Sequence, residues 1–162
     1  MDVIEAASYI SDRYLKQFGK RIDEMKLHKL LYFSQRESLI QLRQPLFDTA
    51  FRAWKYGPVI IEIRALYKED KLVNLPSEDE ISKYLCVFDA VFDKYAGTDS
   101  WSLSAITHDE YCWKKARTGI PPGVNSDVLI ELADIIVDAE RIRQRRFFLK
   151  KLKIIESNAP HN

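Results

Sequence analysis

The sequence is poor in cysteine and histidine, and both shortages bear on metal and redox chemistry. Cys86 and Cys112 are the only cysteines among the 162 residues, and no CxxC spacing is present. Their apolar or aromatic surroundings predict buried, reduced thiols and a cytoplasmic protein. A zinc site needs three or four ligands, and three histidines, one of them the penultimate residue His161, do not supply that set. We therefore expect neither a metal nor another cofactor.

Glycine is also scarce, and long apolar runs are missing. The five glycines form no phosphate-binding loop, and no Ser or Cys lies in a nucleophile elbow, so we expect no enzyme. No apolar stretch approaches the roughly 18 residues that span a bilayer, and the first residues do not resemble a signal peptide. The formal net charge of +1 gives no overall attraction to nucleic acid or to an anionic membrane. These absences predict a soluble protein with no membrane partner.

The apolar pattern predicts a single compact, mainly α-helical domain with at most a short β element around residues 49–56. Asp2 and Asp23 are the expected N-caps of the first two helices, and Gly19 is the expected C-cap of the first. The second helix is apolar nearly all round, which predicts a central position in the core. We expect the domain to cover residues 1–156, including a basic C-terminal helix, and a flexible tail to cover 157–162.

Proline and capping patterns predict the later helices. Pro58 is expected in the first turn of a third helix. Residues 77–80 form a capping box for a helix that ends near Gly97, and residues 107–110 form a second potential capping box. A long C-terminal helix is expected to begin at position 125 or 126.

The turn Ala-Trp-Lys-Tyr-Gly-Pro-Val at 53–59 is the most specific segment of the chain. It places two large aromatic side chains and a cation beside glycine and proline. Gly57 can adopt a positive φ and Pro58 cannot, so the pair fixes where the chain reverses. Packing in the core is one interpretation of such a turn, and presentation of aromatic side chains to a partner is the other.

Two further blocks flank this turn. Residues 26–35 read KLHKLLYFSQ, with PLFD at 45–48 leading into the turn, and residues 103–116 read LSAITHDEYCWKKA. In this order and at this spacing the blocks resemble the Panacea domain, the SocA-like antitoxin family that also includes phage-associated GepA-type proteins. The resemblance runs from about residue 1 to about residue 139. The chain differs from the common family pattern at 36–37, 60–61 and 112.

The resemblance implies an antitoxin that neutralises a cognate protein toxin, encoded by the adjacent gene, through direct binding. A second hypothesis, also implied by the family, is a proteolytic adaptor that delivers the toxin to an AAA+ protease. A third is a nucleic-acid-binding regulator that uses the basic C-terminal helix. Many family members carry a separate helix-turn-helix before the Panacea region, and this chain has no room for one, which disfavours a nucleic-acid partner.

The candidate partner-binding residues come from three segments: the turn (Trp54, Lys55, Tyr56, Gly57), the third block (His108, Glu110, Trp113) and the basic C-terminal run (Arg143, Arg145, Arg146). Each segment also has a purely structural interpretation. The 107–110 box can simply cap a helix, Trp101 and Trp113 are expected in the core, and the basic run can be a solvated helix face. Because the three arginines are expected to border solvent, reversing their charge is predicted to leave the fold intact.

Overall fold

The computed structural model describes residues 1–157, with side chains described up to Lys153. Helices dominate this range, which confirms the predicted mainly α fold. The elements are α1 (Val3–Phe18), α2 (Glu24–Gln41), β1 (Phe51–Trp54), β2 (Gly57–Val59), α3 (Ile61–Lys68), α4 (Glu78–Val91), which continues as a π-helical segment (Phe92–Ala96), α5 (Ser100–His108), α6 (Tyr111–Ala116), β3 (Leu129–Ile130) and α7 (Leu132–Ser157). The predicted tail lies outside the described residues except for Ser157, where α7 ends.

Local capping residues set the ends of the first helices. Asp2 forms a capping box at the start of α1, and Gly19 ends that helix at a φ of 67°. Asp23 caps α2 by accepting a hydrogen bond from a backbone N–H three residues on. Ser77 caps α4 in the same way through the N–H of Glu80. The predicted N-caps and the Gly19 C-cap are confirmed, and the π-helical segment ends at Ala96, next to the predicted Gly97. Of the predicted capping box at 77–80, only the Ser77 bond is formed, because the Glu80 carboxylate pairs with the N-terminal amino group instead.

Helix α2 lies at the centre of the core and is buried along almost its whole length. It packs against α1, α4, α5 and α7, as its apolar circumference predicts. The same helix also buries charged side chains, among them Lys29 and Arg36. Buried charges require partners, and the partners of these two lie in the candidate site.

A small antiparallel sheet with the strand order β2-β1-β3 covers one side of α2. The hairpin pairs Trp54 with Gly57, and β1 also pairs Phe51 with Ile130. Two predictions are therefore wrong. Pro58 lies in β2, and α3 begins only at Ile61, because the turn closes a hairpin. The last long helix begins at Leu132, because residues 129–130 pair with β1.

The predicted capping box at 107–110 is also wrong. Thr107 is buried in the last turn of α5, where its hydroxyl donates to the Ser104 carbonyl at 2.8 Å. Glu110 is the residue before α6 but makes no side-chain capping bond. The first amides of α6 donate instead to the two carboxylate oxygens of Asp138 on α7, each at 2.9 Å. A cap from a distant helix replaces the local one.

Two expectations about burial are corrected. Trp101 is 62% exposed and not part of the core, and Cys86 is exposed, whereas Cys112 is buried as expected. Within residues 1–157, no helix combines the length and the apolar character needed to cross a bilayer. Over the same range, no three His, Cys, Asp or Glu side chains are grouped so that they could hold a metal ion.

Candidate partner-binding surface

The three sequence blocks meet at Gly57, in the β1–β2 turn. Its φ is 104°, which confirms the positive value predicted from the sequence. A Cβ atom at this position would lie 2.5 Å from the Thr107 hydroxyl oxygen and 2.7 Å from Cε of Lys29. Lys29 belongs to α2 and Thr107 to α5, so one glycine allows both helices to approach the turn. The turn is therefore seated on the core and does not project as a free loop.

Helix α2 supports strand β2 from below through two polar side chains. Nζ of Lys29 donates to the Pro58 carbonyl at 3.4 Å, and Nδ1 of His28 accepts from the N–H of Ile60 at 3.4 Å. Burial lowers the pKa of Lys29 to about 7, although Asp23 raises it. Burial, with the nearby positive charges, lowers the pKa of His28 to about 3, so this imidazole is neutral. Both contacts hold the hairpin in place.

Helices α5 and α6 hold the turn from the side. The indole N–H of Trp113 donates to the Trp54 carbonyl at 3.0 Å, and the ring of His108 stacks on Trp113 at 4.1 Å. The Ser104 hydroxyl donates to the Tyr56 carbonyl at 2.8 Å. Trp54, His108 and Trp113 are each partly buried. Together these contacts join the second and third sequence blocks into one unit.

The exposed part of this unit carries two aromatic rings. Tyr56 is 44% exposed, and its ring meets that of Trp101 edge-on at 5.2 Å between centroids. Nζ of Lys55 lies 4.9 Å from the centroid of the Tyr56 ring. We call Lys55, Tyr56 and Trp101 the aromatic surface. Trp101 is not among the residues that the sequence pattern predicts for partner binding, because its exposure becomes recognisable only once the boundaries of α5 are known.

Glu110 is not part of the aromatic surface. It is 8% exposed and forms an ion pair with Arg36, which is 2% exposed. The Tyr32 hydroxyl also donates to Glu110 at 3.4 Å, and Arg36 donates to the Tyr95 hydroxyl at 2.8 Å. This network links α2 to the α5–α6 junction and to the π-helical segment. Glu110 therefore has a structural role in the free protein.

The three arginines of α7 that the sequence indicates as candidates differ from one another. Arg146 donates two hydrogen bonds, at 2.6 and 2.9 Å, to the buried carboxylate of Glu37. Arg143 pairs with Glu140 at 2.6 Å on the surface. Arg145 is exposed and forms no ion pair with any described residue. All three border solvent as expected, but Arg146 also covers the buried carboxylate of Glu37, so its charge is not independent of the fold.

We predict that Arg146→Gln destabilises the protein by about 2 kcal/mol, whereas Arg145→Gln changes the free energy of unfolding by less than about 0.5 kcal/mol. The first change leaves the buried Glu37 carboxylate without its bidentate partner, and the second removes an unpaired surface charge. Urea titration of both variants at neutral pH measures the difference. Equal midpoints would show that the Arg146–Glu37 pair contributes nothing.

The same pair predicts a pH dependence. Burial raises the pKa of Glu37, but the hydrogen bonds from Arg146 and Gln41 outweigh it and hold that pKa below its ordinary value. Because the pKa of Glu37 is lower in the folded than in the unfolded protein, its ionised form contributes to the free energy of unfolding at pH values above the ordinary carboxyl pKa. This contribution is lost as the pH falls through the pKa of the folded state. The gap between wild type and Arg146→Gln should therefore shrink on acidification. A gap that is constant from pH 7 into the acid range would contradict this.

Comparison with known proteins identifies one similarity. The family model described as "Antitoxin SocA-like, Panacea domain" matches residues 27–114. No curated protein and no solved structure matches the chain. The matched range begins in α2 and ends in α6, so it contains the hairpin, the aromatic surface and all the contacts around Gly57.

Proposed function

Because the chain belongs to the SocA-like antitoxin family with a Panacea domain, we propose that it neutralises a protein toxin, encoded by the adjacent gene, by binding it directly in the cytoplasm. A toxin partner follows from the family, and direct binding is the simplest mechanism by which such a chain could neutralise it. It requires a surface that can be buried in a complex and no reaction centre.

The observation that carries this proposal is the aromatic surface. A few large side chains, above all Trp, Tyr and Arg, supply most of the binding energy in protein interfaces. Tyr56 and Trp101 are exposed in the free protein although the backbone beneath Tyr56 is held by Ser104. Side chains carried on fixed backbone lose little entropy on binding, so they are well suited to act as anchors. Trp54, His108 and Trp113 then act as support and not as contacts.

Co-expression tests the proposal. We expect the chain to restore growth that the product of the adjacent gene arrests, and to co-purify with it. Tyr56→Ala combined with Trp101→Ala should weaken the complex by about 2 kcal/mol or more, roughly 30-fold or more in Kd, and reduce the rescue. Both side chains are exposed, so the melting temperature should change little.

Phe147→Ala provides a matched control. It removes an aromatic ring that is 55% exposed, on α7 and outside the aromatic surface, and it should leave capture unchanged. Rescue that survives the double substitution would exclude the aromatic surface from the interface. If the wild-type chain neither rescues growth nor co-purifies with the neighbouring product, the antitoxin proposal itself fails.

The adaptor hypothesis makes a different prediction for the toxin. An adaptor lowers the amount of toxin and loses its effect in cells that lack the AAA+ protease, whereas direct neutralisation leaves the toxin intact in a complex. The half-life of the toxin with and without the protease separates the two. We favour neutralisation because the family assignment and the aromatic surface are sufficient for it.

The nucleic-acid hypothesis depends on the basic residues of α7. Binding driven by phosphate contacts should collapse as the salt concentration rises. A titration of duplex DNA at low and at near-physiological salt therefore tests it. Sequence-specific binding that persists at physiological salt would favour a regulator.

A further inference from the structure

A groove of 630 Å³ runs between α7 and the α5–α6 junction. Arg141, Arg145 and Leu149 form one wall on α7, and Ile106 lies on the opposite wall. The floor includes the buried Arg36 and the π-helical segment. We call it the α7 groove. It is separate from the aromatic surface, although α5 contributes to both.

The acidic side chains of this groove are already engaged. Glu110 pairs with Arg36, and Asp138 accepts the first two amides of α6. Asp109 pairs with Lys114 on the surface. None of these carboxylates is available to balance the remaining cations of the groove.

Three cations of the groove have no acidic partner among residues 1–153. They are Lys94, Arg141 and Arg145. Lys94 and Arg141 lie over aromatic rings, at 5.1 and 5.0 Å from the ring centroids, so both are placed by packing without being neutralised. The groove therefore carries an excess of positive charge, two of whose three side chains are positioned by aromatic rings, although the net charge of the whole chain is only +1. Such a local field selects for a negatively charged partner.

Apolar side chains lie between these cations. Ile106 on α5 and Leu149 on α7 are both exposed. Ile142, on the same face of α7 as Leu149, packs against the core. Positions 142, 145, 149 and 152 share one face of a helix, so the groove wall continues past the body of the protein to the exposed Leu152. All side chains from 147 to 153 are exposed. Cations bordering an exposed apolar stripe are typical of a helix that pairs with an amphipathic partner.

We propose that the α7 groove binds an acidic, amphipathic segment of the toxin. Its carboxylates would meet Lys94, Arg141 and Arg145, and its apolar side chains would cover Ile106 and Leu149. This inference rests on the proposed function, since it assumes that a toxin is captured. A phosphate backbone fits less well, because it would leave the apolar stripe of Ile106 and Leu149 uncovered.

The test compares charge reversals on two faces of the same helix. Arg141→Glu combined with Arg145→Glu should weaken the purified complex with the adjacent-gene product about 100-fold or more in Kd, measured by calorimetry. Lys150→Glu combined with Lys151→Glu makes the same change in net charge outside the groove face, and its effect should stay below about fivefold. Neither pair takes part in an ion pair with a described residue, so thermal melting should confirm that both variants are folded.

The outcomes separate this inference from the proposed function. If the wild-type chain binds the toxin and the two double variants are weakened equally, or not at all, the groove inference is wrong and the proposed function stands. Failure of the wild type to bind overturns both. Displacement of the toxin by duplex DNA at physiological salt, lost in Arg141→Glu/Arg145→Glu, would show that the groove takes phosphates and would also overturn the inference.

Discussion

Glu110→Gln is expected to lower the free energy of unfolding by about 3–5 kcal/mol. The substitution preserves the shape of the side chain but removes the charge that balances Arg36, which is almost completely buried. Arg36 remains protonated, so its guanidinium would be left as an unpaired charge in the core. This loss would be a large fraction of the stability of an ordinary domain. Urea denaturation at neutral pH measures it.

The neighbouring residue offers a matched control. Asp109 pairs with Lys114 at 3.2 Å, but its side chain is 89% exposed. Asp109→Asn should therefore cost less than about 1 kcal/mol. Replacing the buried pair as a whole, with Arg36→Met and Glu110→Leu together, should recover most of the stability, because two apolar side chains need no counter-charge. If Glu110→Gln and Asp109→Asn cost the same, burial of the ion pair has no energetic importance.

Gly57→Val is expected to destabilise the protein by about 3 kcal/mol or more. One contribution is backbone strain, since a φ of 104° is costly for any residue with a Cβ and more so for a β-branched one. The other is overlap, because the new Cβ would lie within 2.8 Å of atoms of Thr107 and Lys29. For a domain of this size the melting temperature should fall by about 6–12 °C.

Substitutions at two other glycines distinguish the cost of backbone strain at Gly57 from the cost of steric overlap. Gly19 also has a positive φ but has no atom within 4 Å of an added Cβ, so Gly19→Ala measures strain at about 1 kcal/mol. Gly97 has an ordinary φ and open space, and Gly97→Ala should be close to neutral. Gly57→Ala should exceed both. A cost for Gly57→Ala equal to that of Gly19→Ala would show that the contacts with Lys29 and Thr107 relax freely.

Features that depend on residues close together in the sequence were predictable, and features that depend on residues far apart were not. The caps at Asp2, Asp23 and Ser77 were predictable because each bonds an amide within three residues of itself. The central place of α2 was predictable from its apolar circumference. In contrast, residues 129–130 form a strand only because β1 lies beside them, and no local pattern contains that information.

For the candidate site, too, the sequence predicts which segments are involved but not the role of each residue. The sequence predicts the turn, its glycine and the third block as parts of a candidate site, and the structure brings these segments together. Their roles could not be assigned, because exposure depends on distant packing. Trp101 was expected in the core and is exposed. No local pattern in the sequence distinguishes Lys29 as a lysine buried under a hairpin.

The cap that Asp138 provides for α6 has a consequence for biosynthesis. Helix α6 has six residues, too few to be stable alone, and its first amides are bonded only when α7 is present. Trp113, which bonds the turn, depends on that helix in turn. We therefore expect that a nascent chain on the ribosome cannot present the aromatic surface until α7 has been synthesised. A truncated product released before residue 138 would then lack the ordered aromatic surface even though it contains every residue of that surface.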